Sequence, residues 1–181
     1  NGVSITTLKS LTQMALGSEI KVKIVATNLD GSSSDSAASS SSVLYSSIPT
    51  SAVTGLAVSV VSSTQVSLTW TAQSTPGNGY SSITTYTVEY KLSSDSTWQS
   101  GNTTASSPAT ISGLTTLSTY YFRIKSTNAF GTGPTSSDSS VSATLYGIPN
   151  VPAQPTLTQT SGSTSIVVTW TAPANNGATI S

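Results

Sequence analysis

The residues whose types and spacing could do chemistry are few: the tripeptide Asn102-Thr103-Thr104, the carboxylates Asp30 and Asp35 in one loop, and the cations Arg123 and Lys125 with Glu89 and Lys91. The tripeptide satisfies the acceptor rule for N-glycosylation, an Asn with a hydroxyl residue two positions on, in a segment read as an exposed loop between the Trp98 and Ile111 strands. Asp30 and Asp35 could offer oxygens to calcium. That ion takes six to eight oxygens, usually from several carboxylates, so the pair is read as solvated. Arg123 and Lys125 alternate along one strand beside Glu89 and Lys91, and cross-strand pairing worth about 0.2–1 kcal/mol suits them better than a polyanion site, which needs a larger patch.

What is missing narrows the chemistry further. The chain of 181 residues holds neither His nor Cys, so neither a Ser-His-Asp nor a Cys-His nucleophile can be built, and the usual zinc and iron ligand sets are closed. No catalytic residue, metal or cofactor is expected. Six Lys and Arg balance six Asp and Glu, which leaves no electrostatic footprint for nucleic acid or anionic lipid. No apolar run approaches the ~20 residues of a membrane helix, so no membrane insertion is expected in this segment, and no signal peptide is visible. Roughly two-fifths of the residues are Ser or Thr, a neutral and β-compatible way to solvate outward faces.

These residues must be positioned by strands. Val66, Leu68 and Trp70 alternate with Ser67 and Thr69, and the pattern returns as Ile166-Val167-Val168-Thr169-Trp170. A period of two marks a half-buried strand, present twice. Other landmarks recur about 100 residues apart: Ile48-Pro49 with Ile148-Pro149, Asn28 with Asn128, Gly31 with Gly131. The expected division is therefore the second half of a copy at 1–47, a complete copy at 48–147, and the opening part of another at 148–181. Within the complete copy, strands are predicted around Leu56–Val60, Val66–Ala72, Tyr86–Tyr90, Trp98, Ile111, Tyr120–Ser126 and Val141–Leu145, with no helical periodicity. That is an all-β sandwich. Trp70, Tyr86, Tyr90, Tyr120 and Phe122 are read as core, and only Tyr121 and Phe130 as contact candidates. In the first copy Ile20, Val22, Ile24 and Ala26 predict a strand with one wet face, and the serine-rich Ser32–Ser42 an irregular, hydroxyl-rich edge.

The run Gly113-Leu114, Tyr120, Phe122-Arg123-Ile124-Lys125, Asn128 and Gly131-Thr132-Gly133-Pro134, after Ser67-Leu68-Thr69-Trp70 and Tyr86-Thr87-Val88-Glu89-Tyr90, resembles the fibronectin type III family. The resemblance implies tandem domains of the immunoglobulin-like β-sandwich class, with Trp70 on the second strand, a tyrosine corner at Leu114 and Tyr120, and Asn128 and Gly131 in the last loop. The first copy has Ile20 where Tyr120 stands, so its corner is expected to be absent. No Arg-Gly-Asp triplet occurs, so the integrin-binding tripeptide of some members does not carry over. The family resemblance, the repeat, the short junctions around Ile48-Pro49 and Ile148-Pro149 and the charge-poor surface imply a non-enzymatic structural or adhesive module. It would belong to an extracellular or cell-surface array or filament, a spacer and interaction scaffold whose partners are other proteins or neighbouring copies of itself, with Asn102 glycosylated if the source is secreted and eukaryotic. The rival readings are spacer domains of a large secreted enzyme, such as a polysaccharide hydrolase, or the ectodomain of a surface receptor. Because 148–181 joined to 1–47 would still lack equivalents of about residues 85–100, including Tyr86 and Trp98, the chain is expected to be a window on a longer array.

Overall fold

The computed structural model describes residues 14–136 and 141–180. In chain order the strands are β1 (Glu19–Ile20), β2 (Thr27–Asn28), β3 (Gly31–Ser32), β4 (Val43–Leu44), β5 (Thr54–Ser62), β6 (Gln65–Thr71), β7 (Ile83–Leu92), β8 (Gln99–Thr104), β9 (Ala109–Ser112), β10 (Thr119–Asn128), β11 (Gly131–Thr132), β12 (Ser142–Thr144), β13 (Thr156–Gln159) and β14 (Ile166–Thr169).

The middle of the chain is a sandwich of two antiparallel sheets, β5-β6-β9 facing β11-β10-β7-β8, with β12 also paired to β10. Alternation decides what lies between them. Val66, Leu68 and Trp70 of β6, Tyr86 and Val88 of β7, and Tyr120, Phe122 and Ile124 of β10 are buried, while their neighbours along each strand face out. Trp70 and Tyr86 meet with ring centroids 5.3 Å apart. The predicted corner forms: the Thr115 amide donates to the Tyr120 hydroxyl at 3.1 Å, and Leu114 is buried beside it.

The flanking pieces carry the same patterns without the same burial. Trp70 is 7% exposed, but Trp170 is 67% exposed, because β13 and β14 form a two-stranded hairpin with no described counterpart of β7 or β10 to cover it. The strand predicted at 20–26 is likewise uncovered, with Ile24 68% exposed, and of these residues only Ile20 is regular strand. Alternation specifies which face wants burial; it does not supply the opposing sheet.

The serine-rich edge is as irregular as its composition implies, and its geometry is specific. Ser33, Ser36 and Ser39 donate their amides to the carbonyls of Ala26, Ile24 and Val22 at 2.8, 2.9 and 2.9 Å. Their hydroxyls accept from the amides of the same three residues at 3.1, 3.0 and 3.3 Å. Three residues on the serine side thus serve two on the strand side, the hydroxyl replacing the backbone acceptor that this spacing skips. Ser136 does the same for Ile124, whose amide donates to its hydroxyl at 2.9 Å. An edge bonded this way leaves fewer open backbone groups for unwanted strand pairing.

Candidate functional site

β7 and β10 set the outward charged face. Their register places Arg123 opposite Glu89, and Glu89 accepts from Arg123 Nε and from Lys125 Nζ, each at 2.6 Å. The two cations sent to the outer face of β10 are therefore engaged by a carboxylate across the strand pair. Arg123 also stacks on Trp98, its guanidinium carbon 4.2 Å from the ring centroid, with the Lys91 ammonium at 5.2 Å. Trp98 lies just before β8 rather than within a strand, and its half-buried ring packs on the outside of the sandwich.

Burial pushes the Glu89 carboxyl up, but the hydrogen bonds and charges of Lys125 and Arg123 outweigh it and hold the carboxyl below its ordinary value. A depressed carboxyl contributes stability that is present above its unfolded value, near ~4.3, and lost as pH falls through the folded value. Glu89→Gln is expected to cost about 1 kcal/mol at pH 7. Thermal melts from pH 7 down to pH 3 should then show the two proteins converging in acid; a gap as large at pH 3 as at pH 7 would contradict the assignment.

Asn102 is exposed, but within β8 rather than in a loop. β8 pairs with β7 alone and has no alternating apolar residues to announce it. The Asn102 amide nitrogen donates to the Thr110 carbonyl at 2.9 Å, at the mouth of an open recess that also touches Tyr90 and Ile111. Asp35 lies 3.7 Å from Lys23 in an exposed ion pair, and among the described residues no group of three or more acidic side chains gathers as a metal centre would require. Phe130 is 58% exposed at a loop tip, whereas Tyr121 is half-buried on the outer face of β10.

The most extensively built polar feature lies where the sequence offered no motif, at the two linkers. The Ser47 amide donates to the Gly79 carbonyl and the Thr50 amide to the Gly77 carbonyl, both at 2.9 Å. One repeat later the Gly147 amide donates to the Asn176 carbonyl at 2.9 Å and the Asn150 amide to the Ala174 carbonyl at 3.0 Å. Asn128, buried at the end of β10, closes the first of these seams. Its Nδ2 donates to the Ser47 carbonyl at 2.7 Å and the Asn78 carbonyl at 3.0 Å, while its Oδ1 accepts from the Phe130 amide at 2.9 Å. At the second seam Asn176 Nδ2 donates to the Ile148 carbonyl at 2.6 Å. The recurrence of Asn28 and Asn128 was the available signal, but nothing in it said what the amide holds.

Sheet order, core and corner define an immunoglobulin-like β-sandwich module. The fibronectin type III domain family model matches residues 51–142, and the chain belongs to that family. Among solved structures, a crystal structure of titin domains is 26% identical at a TM-score of 0.52, over 68% of this chain and 39% of that one. Titin kinase with its flanking domains is 31% identical at 0.46, over 50% and 16%. The FN1-FN3 domains of chicken CNTN1 are 22% identical at 0.45, over 68% and 42%. The chain thus spans less than half the length of each of these structures.

Proposed function

We propose that this chain is part of a tandem fibronectin type III array acting as a non-enzymatic spacer and interaction scaffold outside the cell or at its surface. Its complete module is 48–147, preceded by the end of one module and followed by the start of another. The observation that carries the reading is the pair of linkers, each bonded into the loop of the segment that follows through the same two amide-to-carbonyl contacts. A linker fixed at both ends of a sandwich transmits orientation, as a spacer must, whereas a flexible tether leaves its amides to water. The absence of His and Cys from the chain and the engagement of Arg123 and Lys125 by Glu89 agree with a scaffold rather than a catalyst.

The test is labelling of intact source cells with a membrane-impermeant amine reagent, followed by peptide mapping of the recovered protein. Lys21, Lys23 or Lys91 should be labelled without lysis, and in secreted eukaryotic material Asn102 should carry glycan. A glycosylated Asn retains one amide hydrogen, so attachment at the exposed side preserves the bond to Thr110. Protein labelled only after lysis contradicts the location, and an Asn102 wholly unmodified in such material contradicts the glycan.

A further inference from the structure

Among the described residues three non-glycine residues have positive φ, Tyr80 (58°), Leu117 (59°) and Asn176 (49°), and all three lie at a junction. A bulky residue in this region is a genuine outlier, and such strain persists where surrounding contacts impose it. The repeat shows how it is imposed. Position 117 answers position 17, where Gly17 has φ 84°; position 80 answers position 177, where Gly177 has φ 93°. The second correspondence follows from the seam, since the bonds from 47 to 79 and from 147 to 176 align the two loops. At both places the backbone keeps one conformation while the side chain is present in one copy and absent in the other.

The contacts are complementary. At the first junction the Tyr80 ring of the following module lies directly on Gly17 of the preceding one, so that a Cβ at Gly17 would overlap the ring. The Ser46 hydroxyl donates to the Tyr80 carbonyl at 2.9 Å and fixes the loop that carries it. At the second junction that contact is missing, because position 177 is glycine. Leu117 there packs on Gly147 of its own module, 3.3 Å from where a Cβ would stand, with Asn176 Cβ of the following segment at 3.4 Å from the same point, and a Cβ at Gly177 would meet Tyr146 Cβ at 3.4 Å. A side chain at 17 and a Tyr at 80 therefore exclude one another.

We propose that the first junction is an interlocking surface for one particular neighbour. The Tyr80 side chain of the following module fills the space left by Gly17 in the preceding one, and a following module with glycine at the equivalent position, as at Gly177, cannot supply it. The partner this surface fits is the adjacent copy in the same chain that carries the tyrosine. The inference rests on the array reading for its consequence, but it fails or stands on contacts within this chain.

Amide hydrogen exchange on the full 181-residue chain tests it. In the unaltered protein the Tyr45 and Ser47 amides should be protected, and the Gly17 Hα signals displaced by the Tyr80 ring. Gly17→Leu should lower protection at Tyr45 and Ser47 by about tenfold or more. Adding Tyr80→Gly, which removes the ring that the new side chain would meet, should bring it back to within about threefold of the unaltered chain. The amide of Val88 in the sandwich core reports whether the fold survives. The proposal is overturned if Gly17→Leu leaves protection unchanged, or if the double variant stays as unprotected as the single one. Should Gly17→Leu unfold the core, the unaltered chain decides: undisplaced Gly17 Hα signals overturn the contact. The spacer reading depends on surface labelling instead, so the two can fail separately.

Discussion

Trp70→Ala is expected to remove about 3–5 kcal/mol from the stability of the central sandwich. The side chain is 7% exposed, lies against Tyr86 across the two sheets, and cannot be replaced by collapse, since Val66, Leu68 and Val88 around it are already fully buried. A domain of this size holds about 5–15 kcal/mol in total, so the loss is a large part of the whole. It should appear as a drop in Tm of at least about 12 °C in a calorimetric melt. Trp70→Phe should cost far less, about 1–2 kcal/mol. It keeps a ring against Tyr86, and it removes an indole N–H that is buried with no hydrogen-bond partner among the described residues. Equal losses for the two variants would contradict the assignment of the position to ring packing against Tyr86.

The second large effect belongs to Asn128. Its side chain makes three hydrogen bonds to backbone groups of the linker and two loops while itself 4% exposed. Asn128→Ala leaves the Ser47 and Asn78 carbonyls without that donor, at about 1–3 kcal/mol for each group kept from water, or roughly 2–6 kcal/mol together. Asn128→Asp should be at least as damaging, because it aims a carboxylate at two carbonyl oxygens. Urea denaturation gives the size of the loss, and limited proteolysis shows its place: cleavage near Ser46–Ile48 should accelerate in both variants. A stability loss with no change at the linker would assign Asn128 to the loop alone.

These two residues also show how far the sequence could be read. Trp70 was legible because period-two alternation is a direct consequence of strand geometry, and the same reasoning placed Tyr86, Tyr120 and Phe122 in the core. The corner at Tyr120 was legible through resemblance. Asn128 was legible as a landmark only, since a buried amide bonding across the chain leaves no periodic trace. Tyr80 and Leu117 were less legible still: they stand at turn positions with positive φ, where composition favours glycine and a large side chain carries no pattern. The sequence around Asn102 reads as a loop because β8, an edge strand with neither face strongly apolar, lacks the alternation that identifies strands. Exposure of Trp170 had the opposite cause, a clear pattern without a covering sheet.

The central claim is that one complete, autonomous sandwich lies between two fixed junctions. Stretching the 181-residue chain by its ends tests it most directly. One discrete unfolding event is expected, releasing about 300 Å of contour, the roughly 100 residues of 48–147 at 3.3–3.6 Å each less the folded length. Smooth extension with no event, or a single release approaching the contour of the whole chain, would contradict it.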